Sequence, residues 1–488
     1  MRAVVMFLCA LLLAPCPAIA LEAAVDFPRL GMWWPDNERQ SVADRARYAF
    51  IGLQNADADQ IAPLKAANPA MKILGTHSAR ELNYREGDYS HPLNIELRSA
   101  SLTWALSQVG SALTAAIGPN DTVVPVWAVR KGSTTLFAPG DVFAIDNELF
   151  KVRSTSGTNL TVSRGMYMGT PPTAHAGGAR VANVCMTWSG AISFDLTSAC
   201  PKADVGHGPE TWAQWNTRRF GDVLRGAAWD GIIIDCDEGE FSFWTRVSLS
   251  PPIRTIDTDR SNTVRTNYAA FDAAYKAGTL AYHTAIRALA GESIIIVNRG
   301  LDDFGTINGT IFEDFPNDSA SESWWTQRIV GPSDSGWRPY LDWTTRGRDP
   351  AYTLIEVYED DGKYLTPTYR RMRYGLTTAL MGDGYFSYEM TNHGVGGLFW
   401  FDEYDNAGKG RGWLGTPISP PQRLANGVWC RSFTRGRAFV NPTSKPQSFD
   451  VRGKFVRIDG TQDRAVNNGQ VARVITLPPR DGIVLVRR

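Results

Sequence analysis

Charge imbalance is the first thing this sequence lacks. Its 50 Lys and Arg are matched by 50 Asp and Glu, and only 20% of its 488 residues are charged. No overall field draws it to a polyanion or an anionic membrane, so nucleic acid is not an expected partner. Histidine and cysteine are scarce at six each, and no His/Cys spacing has the form of a zinc site, so no metal and no other cofactor is expected. Beyond residue 20 nothing approaches the ~20 consecutive apolar residues of a membrane span. No G-x-G-x-x-G follows the first strand-like run, which removes the main nucleotide-binding alternative. A G-x-S-x-G elbow and a Cys-His pair are also missing, which disfavours covalent chemistry by serine or cysteine.

What is present begins with an export signal. Arg2, an apolar run from Ala3 to Ala14 and the small-x-small Ala18-Ile19-Ala20 predict a signal peptide cleaved near Ala20, and hence a periplasmic or extracellular product. Cys9 and Cys16 leave with it. In an oxidising compartment, Cys185 with Cys200 is the favoured bridge among the four cysteines that remain. Aromatic residues are abundant, with 16 Trp, 16 Tyr and 21 Phe, and ring faces of this kind serve core packing and sugar stacking alike.

Residues 229–240 organise the remainder of the chain. Gly231 precedes three consecutive isoleucines, the signature of a strand buried on both faces, and four carboxylates, Asp235, Asp237, Glu238 and Glu240, crowd its C-terminal end. Similar apolar runs recur at residues 29–34, 48–54, 71–77, 294–300, 310–315, 352–356 and 384–389, mostly alternating with helix-length segments such as 211–228 and 267–290. A further helix is expected at 94–109. Eight strands in βα rhythm predict an α/β chain folded as a (β/α)₈ TIM barrel.

Two stretches break the rhythm. Residues 111–182 hold short β runs and tight-turn pairs at Asp146-Asn147 and Ser156-Gly157, and are expected to form a small all-β module inserted in the barrel. It is similar to a β module of phage tail and other surface proteins, and its His175, in a Gly/Ala-rich turn, is read as structural. Residues 416–488 are again β-like and are expected to form a C-terminal β-sandwich. The resulting division is 1–20 signal, 21–110 barrel strands one to three, 111–182 insert, 183–415 barrel strands four to eight, and 416–488 sandwich.

Chemistry on such a barrel belongs at the C-terminal strand ends. These carry His77, Asp235, Asn298, Glu313, Glu356 and Glu389, an acid-rich ring suited to hydrolysis of a glycosidic bond by two carboxyl groups. Period-two alternation sets Asp235 on the face of Ile233, and Glu313 on that of Ile311. Asp235 and Glu313 are therefore the candidate catalytic pair. Trp33, His77, Asp237, Glu238, Asn298, Glu356, Trp400, Asp402 and Glu403 are candidates for binding the sugar, Trp400 as a stacking platform.

Several motifs in order carry a resemblance: Asp-Gly-Ile-Ile-Ile-Asp at 230–235, Asn-Arg-Gly at 298–300, Phe-Glu-Asp-Phe at 312–315, Leu-Met-Gly-Asp-Gly-Tyr-Phe-Ser-Tyr at 380–388 and Phe-Trp-Phe-Asp-Glu-Tyr-Asp at 399–405. The chain resembles the hypothetical glycosyl hydrolase 15 family and, distantly, the family 114 endo-α-1,4-polygalactosaminidases. The resemblance implies a glycoside hydrolase on a barrel with a terminal β domain, Asp235 as nucleophile or base and Glu313 as proton donor. It makes amino-sugar polymers the first substrates to test. A second reading stays open, a non-catalytic carbohydrate-binding or adhesion protein on the same scaffold. A deacetylase or a lyase would need a metal site or a basic or Tyr/His centre, and the sequence offers neither.

Overall fold

The structure, a computed structural model, describes residues 26–35, 40–83, 101–165, 172–188, 191–317, 321–331, 338–359, 367–389 and 399–488. The signal segment and residues 94–100 of the expected helix at 94–109 lie outside these residues. The remainder of that expected helix, 101–109, holds one 3₁₀ turn at Ser101–Thr103 followed by isolated bridges, not a helix.

Eight parallel strands form a nearly closed barrel: β1 (Gly31–Trp33), β2 (Phe50–Leu53), β3 (Lys72–Ser78), β4 (Gly231–Asp235), β5 (Ile294–Asn298), β6 (Gly309–Phe312), β7 (Leu354–Tyr358) and β8 (Tyr385–Glu389). They neighbour one another in chain order, and a parallel bridge from Leu30 to Phe386 joins the two ends. Each strand matches one of the apolar runs read from sequence.

Alternation along these short strands sorts their side chains into two cores. Trp33, Phe50, Leu74, Ile233, Ile296, Ile311, Leu354 and Tyr385 fill the lumen. Met32, Ile51, Ile73, Ile232, Ile234, Ile295, Val297 and Phe386 pack outward against the helices. Gly52 stands where a side chain would collide with Ile233 Cδ1, 2.4 Å from an added Cβ, so a glycine is what lets β2 approach the lumen residues of β4. β4 is thus apolar all round for the reason its sequence suggested: one isoleucine points in and two point out.

The helical layer holds α1 (Val42–Arg45), α2 (Ile61–Ala67), α3 (Trp212–Gly226), α4 (Ala269–Ala290), α5 (Glu322–Ile329), α6 (Tyr340–Arg346) and α7 (Tyr369–Ala379). α3 starts at a capping box, with Thr211 and Gln214 exchanging side-chain to backbone hydrogen bonds. α4 ends at Gly291 with φ 57°, a conformation open to glycine at low cost. No described helix is long and apolar enough to cross a membrane. β5 and β6 are joined without a helix, and the Asn308 side chain fixes that link by accepting the Ile295 N–H at 2.9 Å and donating to Pro350 O at 3.1 Å.

Between β3 and β4 the chain forms a six-stranded antiparallel sheet in the order 111–112, 180–183, 142–145, 148–156, 159–163, 123–125, with its own apolar cluster around Phe143, Phe150, Leu160 and Val181. His175 is buried there, Nδ1 2.8 Å from Asp146 Oδ2 and Nε2 3.0 Å from Glu148 Oε2. Burial opposes the charge on Glu148, but Arg164, the Thr173 N–H and His175 together hold its carboxyl below the usual range. These contacts tie the 173–175 turn to the 145–148 hairpin. Beyond the barrel, α8 (Asp402–Asp405) leads to a second six-stranded antiparallel sheet in the order β9 (Gln422–Arg423), β10 (Trp429–Ser432), β11 (Gly436–Asn441), β14 (Asp481–Arg487), β12 (Gln447–Arg457), β13 (Val471–Leu477). Arg373 on α7 clamps this sheet to the barrel through Asp481, at 3.1 and 3.2 Å.

Cys185, Cys200, Cys236 and Cys430 are all free thiols, which corrects the expected Cys185–Cys200 bridge. Cys185 is buried in the apolar core, and Cys200 donates instead to Pro201 O at 3.5 Å.

Candidate active site

Lumen-facing positions at the C-terminal ends of β4, β5 and β6 converge. Asn298 ends β5, and its Nδ2 donates to Asp235 Oδ1 at 3.1 Å and to Glu313 Oε2 at 2.9 Å. One amide nitrogen therefore touches both carboxylates, and the two acceptor oxygens are at most about 6 Å apart, the sum of those distances. Asp235 Oδ1 also accepts the Cys236 N–H at 2.7 Å, because the chain turns sharply at Cys236, with φ 56°. Burial and then the charge of Glu313 push the Asp235 carboxyl above its ordinary value, with the Asn298 and Cys236 hydrogen bonds acting against them. Two like charges this close do not ionise independently, and the second proton is held more tightly than the first.

Glu356 on β7 shares the lumen face of Leu354 by alternation and is fully buried. Two residues further, Tyr358 lies on the same side. Burial, then the charges of Glu313, Asp314 and Glu356, raise its phenol well above the usual range. Tyr358 escaped the sequence reading because it stands past the expected end of its strand. Continuing the strand by two residues in period two would have found it.

Several expected sugar-binding residues lie elsewhere. His77 is on the outer face of β3, edge-on to Phe220 of α3, and burial lowers its pKa to about 4. Its neighbour Thr76 takes the inner position and accepts hydrogen bonds from Trp33 Nε1 at 3.4 Å and Trp34 Nε1 at 2.9 Å. Trp33 is 1% exposed within the lumen core, so packing and not ligand contact explains it, whereas Trp34 is half-buried.

Asp237 and Glu238 are both consumed by buried ion pairs. Asp237 meets His283 Nε2 on α4 at 2.8 Å, while Asp303 contacts the other ring nitrogen. The two carboxylates outweigh burial and hold His283 well above the usual histidine value. Glu238 accepts Arg80 Nε at 3.0 Å and Nη2 at 2.6 Å, with Arg299 on its other oxygen at 3.4 Å. Burial opposes its charge, and these arginines overcome it and lower its pKa. Asp237 and Glu238 thus brace the β4 turn rather than face a sugar.

The loop after β8 is corrected in the same way. Trp400 carries the Arg47 guanidinium 3.4 Å above its ring and donates Nε1–H to Asp405 at 2.7 Å, which leaves that face no room as a sugar platform. Asp402 Oδ2 accepts the N–H groups of Thr461 and Gln462, both at 2.9 Å, and Glu403 accepts Asn467 Nδ2 at 2.9 Å. Both acids are buried and dock the terminal sheet onto the barrel. Sequence reasoning had no signal for this, since the partners lie about 60 residues away.

The sequence profile of hypothetical glycosyl hydrolase family 15 matches residues 179–437, just over half of the chain. No curated protein matches the sequence. Similar solved structures include the glycoside hydrolase domain of PelA from Pseudomonas aeruginosa, at 12% identity over 76% of this chain and 98% of that one, TM-score 0.34. They also include an α-amylase from Geobacillus thermoleovorans in complex with acarbose (9%, 94% and 98%, TM-score 0.37) and a debranching enzyme from Nostoc punctiforme (9%, 95% and 99%, TM-score 0.39). At such scores these likenesses add nothing to the chemistry of the site.

Proposed function

The chain belongs to hypothetical glycosyl hydrolase family 15 and is a glycoside hydrolase by that membership; from this premise we propose that it is an exported enzyme hydrolysing O-glycosidic bonds of a polysaccharide with Asp235 and Glu313. The observation that carries the reading is the single Asn298 amide shared by both carboxylates. Glu313 donates its proton to the glycosidic oxygen while Asp235 attacks the anomeric carbon. Water then enters as Glu313 takes back a proton, and the Asp235 ester is released. Two N–H donors on Asp235 Oδ1 favour its anion and support it in the attacking role. Approach within about 6 Å fits the ~5–5.5 Å separation of retaining enzymes better than the ~6.5–9.5 Å of inverting ones, so retention of configuration is the expected outcome.

Residues 111–182 form, in this reading, an accessory β module inserted in a barrel loop. Residues 416–488 form the terminal β-sandwich, and export follows cleavage near Ala20. The adhesion alternative would gain if either acid faced the helix layer, and the shared amide speaks against that arrangement. Release of reducing ends from a panel of amino-sugar and neutral polysaccharides by wild type, D235N and E313Q is the test. The proposal expects turnover by wild type and a loss of ~10²–10⁴-fold in each variant. Equal activity in all three would overturn the assignment.

A further inference from the structure

A cleft of about 360 Å³ opens on the terminal sheet, far in sequence from the catalytic pair, and Arg437, Arg452, Lys454, Arg487 and Arg488 line it. Ser432 and Phe455 complete the wall, and no carboxylate side chain lines it. In a chain whose charges sum to zero, five cationic side chains about one concavity are a local concentration of charge that composition hides. None of the five is in an ion pair among the described residues, although ion pairs are common elsewhere in them, such as Arg80 with Glu238 and Arg373 with Asp481.

The backbone builds this cleft. β12 breaks register with β13 between Asp450 and Phe455, and the bulge puts Arg452 at φ 49° and Gly453 at φ 131°. Asp450 is occupied in the turn, where Oδ1 accepts the Arg452 N–H at 2.9 Å. Phe455 pairs across the ladder with Arg487, whose guanidinium lies 5.4 Å from the Phe455 ring centre. Arg437 is anchored by Nη1 to Val451 O at 3.0 Å and lies 4.9 Å from the Phe439 ring centre. Two guanidinium groups are thus held against aromatic rings beside two solvent-facing basic side chains on a strained bulge, an arrangement suited to planar oxyanions.

We propose that this cleft is a second, non-catalytic binding site for an acidic polysaccharide, recognising carboxylate groups repeated along a sugar chain. Phe455 is only 4% exposed, so recognition is ionic and not by stacking on a sugar face. Such a site would hold the protein on a carboxylated polymer independently of the reaction at Asp235.

The test is affinity electrophoresis of the full chain through gels containing polygalacturonate, neutral dextran or double-stranded DNA. The variants are R452S/K454S/R487S and, as a control for lost surface charge, R130S/K131S/R153S, of which Arg130 and Lys131 lie on a two-stranded ribbon and Arg153 on the other six-stranded sheet. All six side chains are exposed, so both triples leave the core untouched. Expected are retardation of wild type and of the control by polygalacturonate but not by dextran, a dissociation constant at least ten-fold weaker in the cleft triple, and the same retardation in D235N as in wild type. Equal retardation of wild type and cleft triple would overturn the proposal. So would equal loss in the two triples, or binding to DNA as strong as to polygalacturonate. Loss of binding in D235N would place the interaction in the catalytic site instead. Binding is read without turnover, so a failure here is distinguishable from a failure of the catalytic assignment.

Discussion

Two pairs of acids follow barrel strands in this chain, Asp235 with Glu313 and Asp402 with Glu403, and their fates differ. The first pair is half-buried and shares a single amide donor from Asn298. The second is buried and engaged by backbone N–H groups and an asparagine from a distant segment. Residue type and the preceding strand are alike, so neither separates a reactive carboxylate from a structural one. The partners do. Asp402 and Glu403 are held by donors of the terminal sheet and dock that sheet, whereas Asp235 and Glu313 crowd about one Asn298 amide, with a local Cys236 N–H on Asp235 besides. In the proposed reading that crowding keeps a proton between them for transfer.

The sharpest way to break this contrast is at Asn298. Replacing it with alanine removes the donor common to both acids, and hydrolysis is expected to fall by about 10²-fold, the lower end for an acid–base group, with little change in melting temperature. A loss of stability with activity intact would make the site the structural one of the two. Asp402→Ala should behave in the opposite sense. It deletes an acceptor serving two backbone N–H groups, each such charged hydrogen bond contributing ~1.5–3 kcal/mol, so unfolding by denaturant should be easier by about 3 kcal/mol. Activity per folded molecule should stay within about two-fold, well short of the loss expected of an acid–base group.

The smallest effect is a pH shift. Burial and the Glu313 charge raise the Asp235 pKa, so an ionised Asp235 is fully populated only above a raised pKa, and activity should fall with acid at higher pH than for an ordinary aspartate. In E313Q the repulsion is gone, and the acid limb of residual kcat/KM should move to lower pH. An unmoved limb would mean that the two carboxylates do not sense each other.

The barrel was legible in the chain because burial on two faces writes itself locally. Residues 231–235 read as a central strand from their own composition, and period two correctly set Asp235 with Ile233 and assigned Ile232 and Ile234 to the helices. The same rule, applied to strand ends alone, failed at His77, which is last in its apolar run but odd in the alternation. Asp237 and Glu238 were misread for another reason. Once β4 ends, the chain turns at Cys236 and alternation has no further meaning.

The sequence alone therefore determined the eight strands, the order of the barrel and the identity of Asp235, Glu313 and Asn298 as strand-end groups, since each follows from patterns within about ten residues. Only the tertiary structure decided which acids share the Asn298 donor. It also disclosed the basic cleft, whose basic residues are up to 51 positions apart in a chain of zero net charge. Charge pairing and hydrogen bonding act through space over a few ångströms, and the segments that meet at that range are fixed by how the strands and sheets pack, not by their distance along the chain.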